Sequence, residues 1–200
     1  LKSVTYLTMP YATDMSSLFE NCISLTSVIG FTVPNSCENL NSTFRNCYSL
    51  TQSPITIIPD SVKNISFLFY DCIGLNNING MTFGSGIENY ESFLDNSNVE
   101  YLNDLTVNTI NFKFTNNEKI KECKNYKPSS KTTDFVECFS GCTNLTEFTF
   151  HPEVTFDFAV HLESMFEDCI NLEYDIPLPT ETIDADYMYK NCIGMTHIHS

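Results

Sequence analysis

Apolar positions return along this chain at a fixed phase. Leu18 and Phe19 are followed by two polar residues, Cys22, two further residues and Leu25. The phrase recurs as Phe44, Cys47 and Leu50, and again as Phe69, Cys72 and Leu75. Later copies are Phe139, Cys142 and Leu145, then Phe166, Cys169 and Leu172, then Tyr189, Cys192 and Met195. The first three copies are 25 residues apart, and Leu94 with Ser97 continues that step. Phe114, Asn117 and Ile120 follow after a step of 20, and the remaining steps are 25, 27 and 23. Seven residues before the Cys column lie Met15, Leu40, Ile65, Tyr90, Ile110, Phe135 and Leu162. Three residues after the Leu column lie Val28, Ile78, Cys123, Phe148 and Ile198, with Leu102 two residues after it in the degenerate Ser97 copy. Columns that agree in phase over the whole chain define a repeat. One unit cannot bury its apolar face alone, so stacked neighbours must supply the core.

Within a unit the spacing predicts two elements. Met15, Leu18 and Phe19 stand at i, i+3 and i+4, as on one face of a helical turn. Leu25, Val28 and Ile29 enter a short extended run closed by Gly30, and Pro54, Gly80 and Pro152 close equivalent runs. The expected unit is strand, loop and helical turn. The expected fold class is therefore an α/β repeat, a leucine-rich-repeat solenoid of about eight units. Residues 1–200 are expected to form one solenoid segment, irregular around 94–131. Leu1 and Val4 fall in the Leu column and the column after it, and the chain ends inside the same strand. Neither end carries a polar capping unit, so the expectation is a segment of a longer chain, uncapped at both ends.

Two phrases carry a family resemblance. Met15-Ser-Ser-Leu-Phe-Glu-Asn-Cys-Ile-Ser-Leu and Leu162-Glu-Ser-Met-Phe-Glu-Asp-Cys-Ile-Asn-Leu resemble the BspA-like leucine-rich repeat proteins of bacterial surfaces, a type expanded in protozoa such as trichomonads. The resemblance spans essentially the whole chain and is specific for the repeat type. It implies a curved solenoid displayed at a cell surface, associated with adhesion or host recognition, with no catalytic residues. The repeats around Ser97 and Asn117 depart from the family phrase.

Composition narrows the function classes. The formal net charge is -15. Such a chain repels phosphate backbones and anionic lipid, which argues against nucleic acid as a partner. No apolar run approaches the roughly 20 residues of a membrane-crossing helix, so no direct membrane insertion is expected in this segment. No Gly-rich phosphate loop, nucleophile elbow or HExxH motif is present. No enzyme activity and no cofactor are expected. Acidic pairs such as Glu167-Asp168 read as a solvated face.

Nine Cys raise the question of disulfides. Six share one column: Cys22, Cys47, Cys72, Cys142, Cys169 and Cys192. Ser97 and Asn117 fill the same slot in degenerate copies, so the slot takes a small residue. The other three also lie in apolar columns, Cys37 with Val62 and Ile87, Cys123 with Val28 and Ile78, and Cys138 with Leu18 and Leu68. Buried free Cys behaves as a small hydrophobe. The reading is a structural column of reduced thiols, favoured over a disulfide framework. The spacing lacks the paired pattern of a zinc site, and His197 with His199 alone make a weak metal site, so no metal is expected. Asn41, Asn64 and Asn144 begin glycosylation sequons. A chain this rich in Asn, Ser and Thr produces sequons by chance, so they do not decide the compartment.

Binding is expected on the strand face. Side chains alternate along a strand, so residues flanking the buried column point outward. They include Ser27, Gln52, Asn77, Asn79, Tyr101 and Asn103, continuing with Glu122, Lys124, Glu147 and Thr149. Tyr101 is the one typical anchor in this polar row. A second feature is a basic band of Lys113, Lys119, Lys121, Lys127 and Lys131, with Lys124 among them. It reads either as an anion-contacting patch or as a solvated, irregular repeat. The expected function is non-catalytic recognition or adhesion of a protein or glycan partner, at the cell surface or secreted. The alternative is a structural or scaffold component of an intracellular assembly, since free thiols persist best in a reducing compartment.

Overall fold

The computed structural model describes residues 1–156 and 160–196. His197 and His199 lie outside the described residues. The chain divides into two compact units, Leu1–Val99 and Glu100–Ser200. In both, successive repeats lie side by side in parallel register.

In the first unit, β1 (Ser3–Thr5) pairs with β2 (Ser27–Ile29), which places Val4 beside Val28. Farther along, β3 (Ile57–Ile58) pairs with β4 (Thr82–Phe83). A separate ladder of single bridges runs from Asp14 through Asn39 and Asn64 to Asn89. In the second unit, β5 (Thr106–Val107) pairs with β6 (Glu122–Pro128), and β6 with β7 (Glu147–Phe150). β8 (Val160–His161) pairs with β9 (Thr182–Asp184). β6 is long because it serves two ladders. Its start pairs with β7, and Lys127 and Pro128 pair with β5. Between them the register shifts, at Asn125 with φ 56°. β6 opens the repeat that follows the 20-residue step from Ser97 to Asn117.

The expected helical turn is absent, so the α/β class is corrected: no helix forms among the described residues, and the repeats are turns of a parallel β-solenoid. The amides of Met15, Ser17, Phe19 and Asn21 donate to the carbonyls of Asn39, Asn41, Thr43 and Arg45, each at 2.9 Å. Alternate amides thus bond to the next repeat and not to residues four back. Ser17 and Asn21 have φ of 54° and 61°. A left-handed residue every fourth position cannot propagate a right-handed helix. The tight turns between these residues return the chain inward at Met15 and Phe19, which are buried, and leave Leu18 37% exposed. The expected run at Gln52 also differs: it is a bend, and the regular strand of that repeat comes later, at β3.

A sequence signal for this backbone stands one residue before the Cys column. Asn21, Asn46, Asp71, Asn96, Asn116, Gly141, Asp168 and Asn191 all have φ between 57° and 72°. Asn, Asp and Gly are the residues that tolerate this region. A second column caps the turn that follows. Asp14, Asn39, Asn64, Asp134 and Asp184 each accept, through Oδ1, the amide two residues on, at 2.8–3.0 Å. These are Asx turns.

The interior is a stack of rings. Phe19, Phe44 and Phe69 lie nearly parallel, with centroids 5.2 and 5.7 Å apart. Phe114, Phe139, Phe166 and Tyr189 repeat this at 5.4, 6.0 and 5.7 Å. Offset parallel rings at such spacing are favourable beyond their burial. Not every column member lies inside, since Leu18 is exposed and Tyr90 half-buried, and the largest departure is at Ile110. Ile110 is 50% exposed, and Thr109 and Phe112 are buried instead. The short step shifts the left-handed residue to Asn111, φ 59°, which rotates Ile110 outward.

All nine cysteines are free thiols, seven of them buried. The column forms a ladder. Cys47 and Cys72 donate through Sγ to the carbonyls of Phe19 and Phe44, both at 3.1 Å. Cys142, Cys169 and Cys192 do the same to Phe114, Phe139 and Phe166 at 3.0–3.2 Å. The Phe44 carbonyl also accepts the Cys47 amide at 3.1 Å, so one oxygen closes a turn and joins two repeats. Cys72→Ser keeps a donor at this carbonyl. It is expected to cost about 1 kcal/mol, with the same melting shift with and without reductant. A disulfide at this position would make the melts diverge.

Burial pushes the thiols of Cys47, Cys72, Cys138 and Cys169 up to about 12, and Cys192 to about 11. Unfolded thiols ionise near their ordinary 9.0. Above that pH the folded chain retains protons that the unfolded chain has lost. Stability is therefore fully present below about pH 9 and falls as pH rises toward 12. Thermal melts from pH 7 to 10.5 should be flat at first and then decline above pH 9. A melting temperature that rises across that range contradicts this account of the column.

Candidate functional site

The expected outward row is solvent-accessible in both units. In the first, Gln52 and Asn79 are exposed and Ser27 and Asn77 half-buried. In the second, Tyr101, Asn103, Glu122, Lys124 and Glu147 are half-buried and Thr149 exposed. These last residues form a connected polar network. Tyr101 bridges in parallel to Glu122, which lies beside Glu147. Asn103 donates through Nδ2 to Glu122 Oε1 at 2.5 Å and accepts the Lys124 amide at 2.8 Å. Lys124 Nζ sits 2.9 Å from both Glu122 and Glu147. The Lys124 hydrogen bond, with the Asn103 amide, holds the Glu122 carboxyl below the usual range. Glu147, then Glu122, raises the lysine.

The basic band is largely neutralised. Lys113 pairs with Glu137 at 3.5 Å, Lys121 with Glu100 at 2.9 Å and Lys127 with Glu153 at 2.7 Å. These cations belong to neighbouring carboxylates, so most of the band is not a bare anion-binding surface. Lys119 and Lys131 are exposed and make no ion pair among the described residues. Exposed pairs of this kind add little stability.

Two cavities flank the segment after β7, and residue-by-residue reading of the sequence does not locate them. One encloses about 230 Å³ and is lined by Asn108, Lys127, Ser130, Thr132, Phe135 and Phe156 among others. The other encloses about 550 Å³ and includes Glu147, Thr149, His151, Phe156, Tyr174 and Asp175. Val154 and Phe156 line both, so the two adjoin, and together they are the candidate cleft. Glu147 and Thr149 join the larger lobe to the polar row. Phe150 and Phe156 meet edge to face at 5.1 Å, and Phe135 meets Phe156 at 6.0 Å. Thr132 Oγ1 is buried without a hydrogen-bond partner. The segment exists because the step from Cys142 to Cys169 is 27 residues, the longest in the chain. That lengthening, with the Phe148-Thr-Phe-His-Pro run inside it, is the signal that could have located the cleft.

A second missed feature lies in the first unit. Arg45, the sole arginine, packs its guanidinium over Phe67 and Tyr70, at 5.4 and 5.2 Å from the ring centroids. Among the described residues no three His, Cys, Asp or Glu converge to hold a metal, and no helix is long and apolar enough to cross a membrane.

Residues 3–98 match the family described as Mycoplasma protein of unknown function, DUF285. The chain is also similar to a leucine-rich repeat protein from Bacteroides ovatus of known crystal structure, at 21% identity and a TM-score of 0.48. That match covers 98% of this chain and 60% of the Bacteroides chain, so this chain spans about three-fifths of that protein's length. No curated protein matches.

Proposed function

We propose that this repeat solenoid is a non-catalytic recognition module, binding a protein or glycan partner through the cleft beside β7 and the polar row that leads into it. The observation that carries the reading is the cleft itself. A concave, aromatic-walled site with a few polar groups is the usual form of a ligand site. The row supplies hydrogen-bonding groups already ordered by one another, so little side-chain entropy is lost on contact. The resemblance of the repeat phrases at Met15 and Leu162 to BspA-like proteins supports surface display as part of this proposal. Nine free thiols favour a second reading, a scaffold within an intracellular assembly.

Two measurements test this. The immobilised chain is screened against panels of cell-surface proteins and glycans, and a bound partner should be lost on Tyr174→Ala with Thr149→Ala. Binding that ignores both changes removes the cleft from the account. Labelling of intact source cells with an impermeant amine reagent should modify Lys119 and Lys131. Protection in intact cells with labelling after lysis supports the scaffold and ends the surface reading.

A further inference from the structure

We infer that the cleft takes a neutral oligosaccharide, with one sugar ring in the smaller lobe and the adjoining rings along the larger. This rests on the recognition reading above and specifies its ligand. The first ground is the lining of the smaller lobe, where Thr106, Asn108, Ser129, Ser130 and Thr132 provide hydroxyl and amide groups. Such groups both donate and accept, as sugar hydroxyls do. The second ground is Thr132. Its Oγ1 is closed to solvent with no partner, a state that costs free energy and that a turn of the side chain into the lobe would relieve by meeting a ligand hydroxyl. The third is the set of aromatic walls. Phe156, which lines both lobes, is half-buried and Tyr174 in the larger lobe is exposed, so both offer ring surface to the apolar C–H face of a sugar, with buried Phe135 supporting Phe156 from behind.

Charge decides against an anionic ligand. Among the described residues Lys127 is the one lysine or arginine of the smaller lobe, and Glu153 already holds it at 2.7 Å. That lysine hydrogen bond keeps the Glu153 carboxyl below its ordinary range, so the pair stays ionised and neutral in sum. The larger lobe carries the carboxylates of Asp175 and of Glu147, the latter already shared with Lys124 at 2.9 Å, and among the described residues no lysine or arginine lines it. A phosphate, sulfate or sialic acid would meet like charge there. A sugar hydroxyl can donate to those carboxylates, and charge-assisted bonds of this kind are the strong ones.

The volumes fit the same ligand. Lobes of about 230 and 550 Å³ sharing Val154 and Phe156 suit a chain of rings better than one compact molecule.

The test is an array of neutral gluco-, galacto-, manno- and N-acetylglucosamine oligosaccharides, with sialylated and sulfated glycans alongside, probed with the whole chain. The best neutral binder is then titrated against the wild type, Thr132→Val and Tyr174→Ala. Thr132→Val is nearly isosteric and removes a partnerless polar atom, so its melting temperature should not fall. Its affinity should fall about tenfold, the loss of one buried hydrogen bond. Tyr174→Ala should weaken binding at least as much. Binding confined to sialylated or sulfated glycans overturns the inference, as does an affinity unchanged in both variants. A protein partner captured through the cleft, with no oligosaccharide bound, sinks the saccharide and leaves recognition standing. Absence of both partners sinks the two together.

Discussion

Phe139→Ala is expected to destabilise the second unit by roughly 3–5 kcal/mol, the cost of emptying a large buried ring site. Phe139 is fully buried. It stacks on Phe114 at 5.4 Å and on Phe166 at 6.0 Å, and it meets Phe148 edge to face at 5.0 Å. Tyr126 closes the remaining side at 5.8 Å. Its loss therefore opens a cavity between three consecutive repeats. Because the Cys169 thiol is bonded to the Phe139 carbonyl, backbone collapse into that space would also strain the thiol ladder. Denaturant unfolding measures the cost. A change under about 1 kcal/mol, the size of a surface substitution, would mean that the ring stack is not the core.

Gly84→Ala is expected to cost about 3 kcal/mol, at the upper end of overpacking effects. Gly84 has an ordinary backbone conformation, so the reason is space and not φ. A Cβ there would strike the Pro59 carbonyl oxygen and come within 2.5 Å of Pro59 C and 2.7 Å of Asp60 N. All three are backbone atoms of the preceding repeat and cannot swing aside. The close approach is used. Between Gly84 and Gly86, Ser85 donates its amide and hydroxyl to Asp60 Oδ1 at 2.7 and 3.0 Å. Pushing the repeats apart should break that clasp as well. Hydrogen exchange should show the Ser85 amide losing protection first. Full stability in Gly84→Ala would contradict the repeat spacing described here.

Much of this architecture was legible in the order of residues. The Phe, Cys and Leu columns, their phase and the irregular middle repeat all follow from spacing, because a stacked core demands one apolar residue per repeat at each depth. The helix was misread for a physical reason. Met15, Leu18 and Phe19 satisfy the helical period equally well as turns of a ladder, and periodicity alone cannot tell the two apart. The Asn, Asp and Gly column from Asn21 to Asn191 carries the distinction, since left-handed residues at a fixed phase exclude a helix. The binding surface was less legible. Tyr101 and Asn103 belong to a polar network that alternation could locate. The cleft depends on how the 27-residue step folds back, which brings Phe156 and Tyr174 to one place from positions 18 residues apart. No local pattern encodes that meeting. The lysine band shows the same limit, because Glu137, Glu100 and Glu153 reach their lysines from other repeats.

The recognition account is tested most directly by hydrogen–deuterium exchange of the whole chain with and without a partner captured in the binding screen. Protection should gather in residues 129–132, 147–156 and 174–177, which line the two lobes and the end of the polar row, with Leu1–Val99 exchanging as before. Protection confined to Leu1–Val99, with those segments unchanged, would place recognition elsewhere and contradict the account.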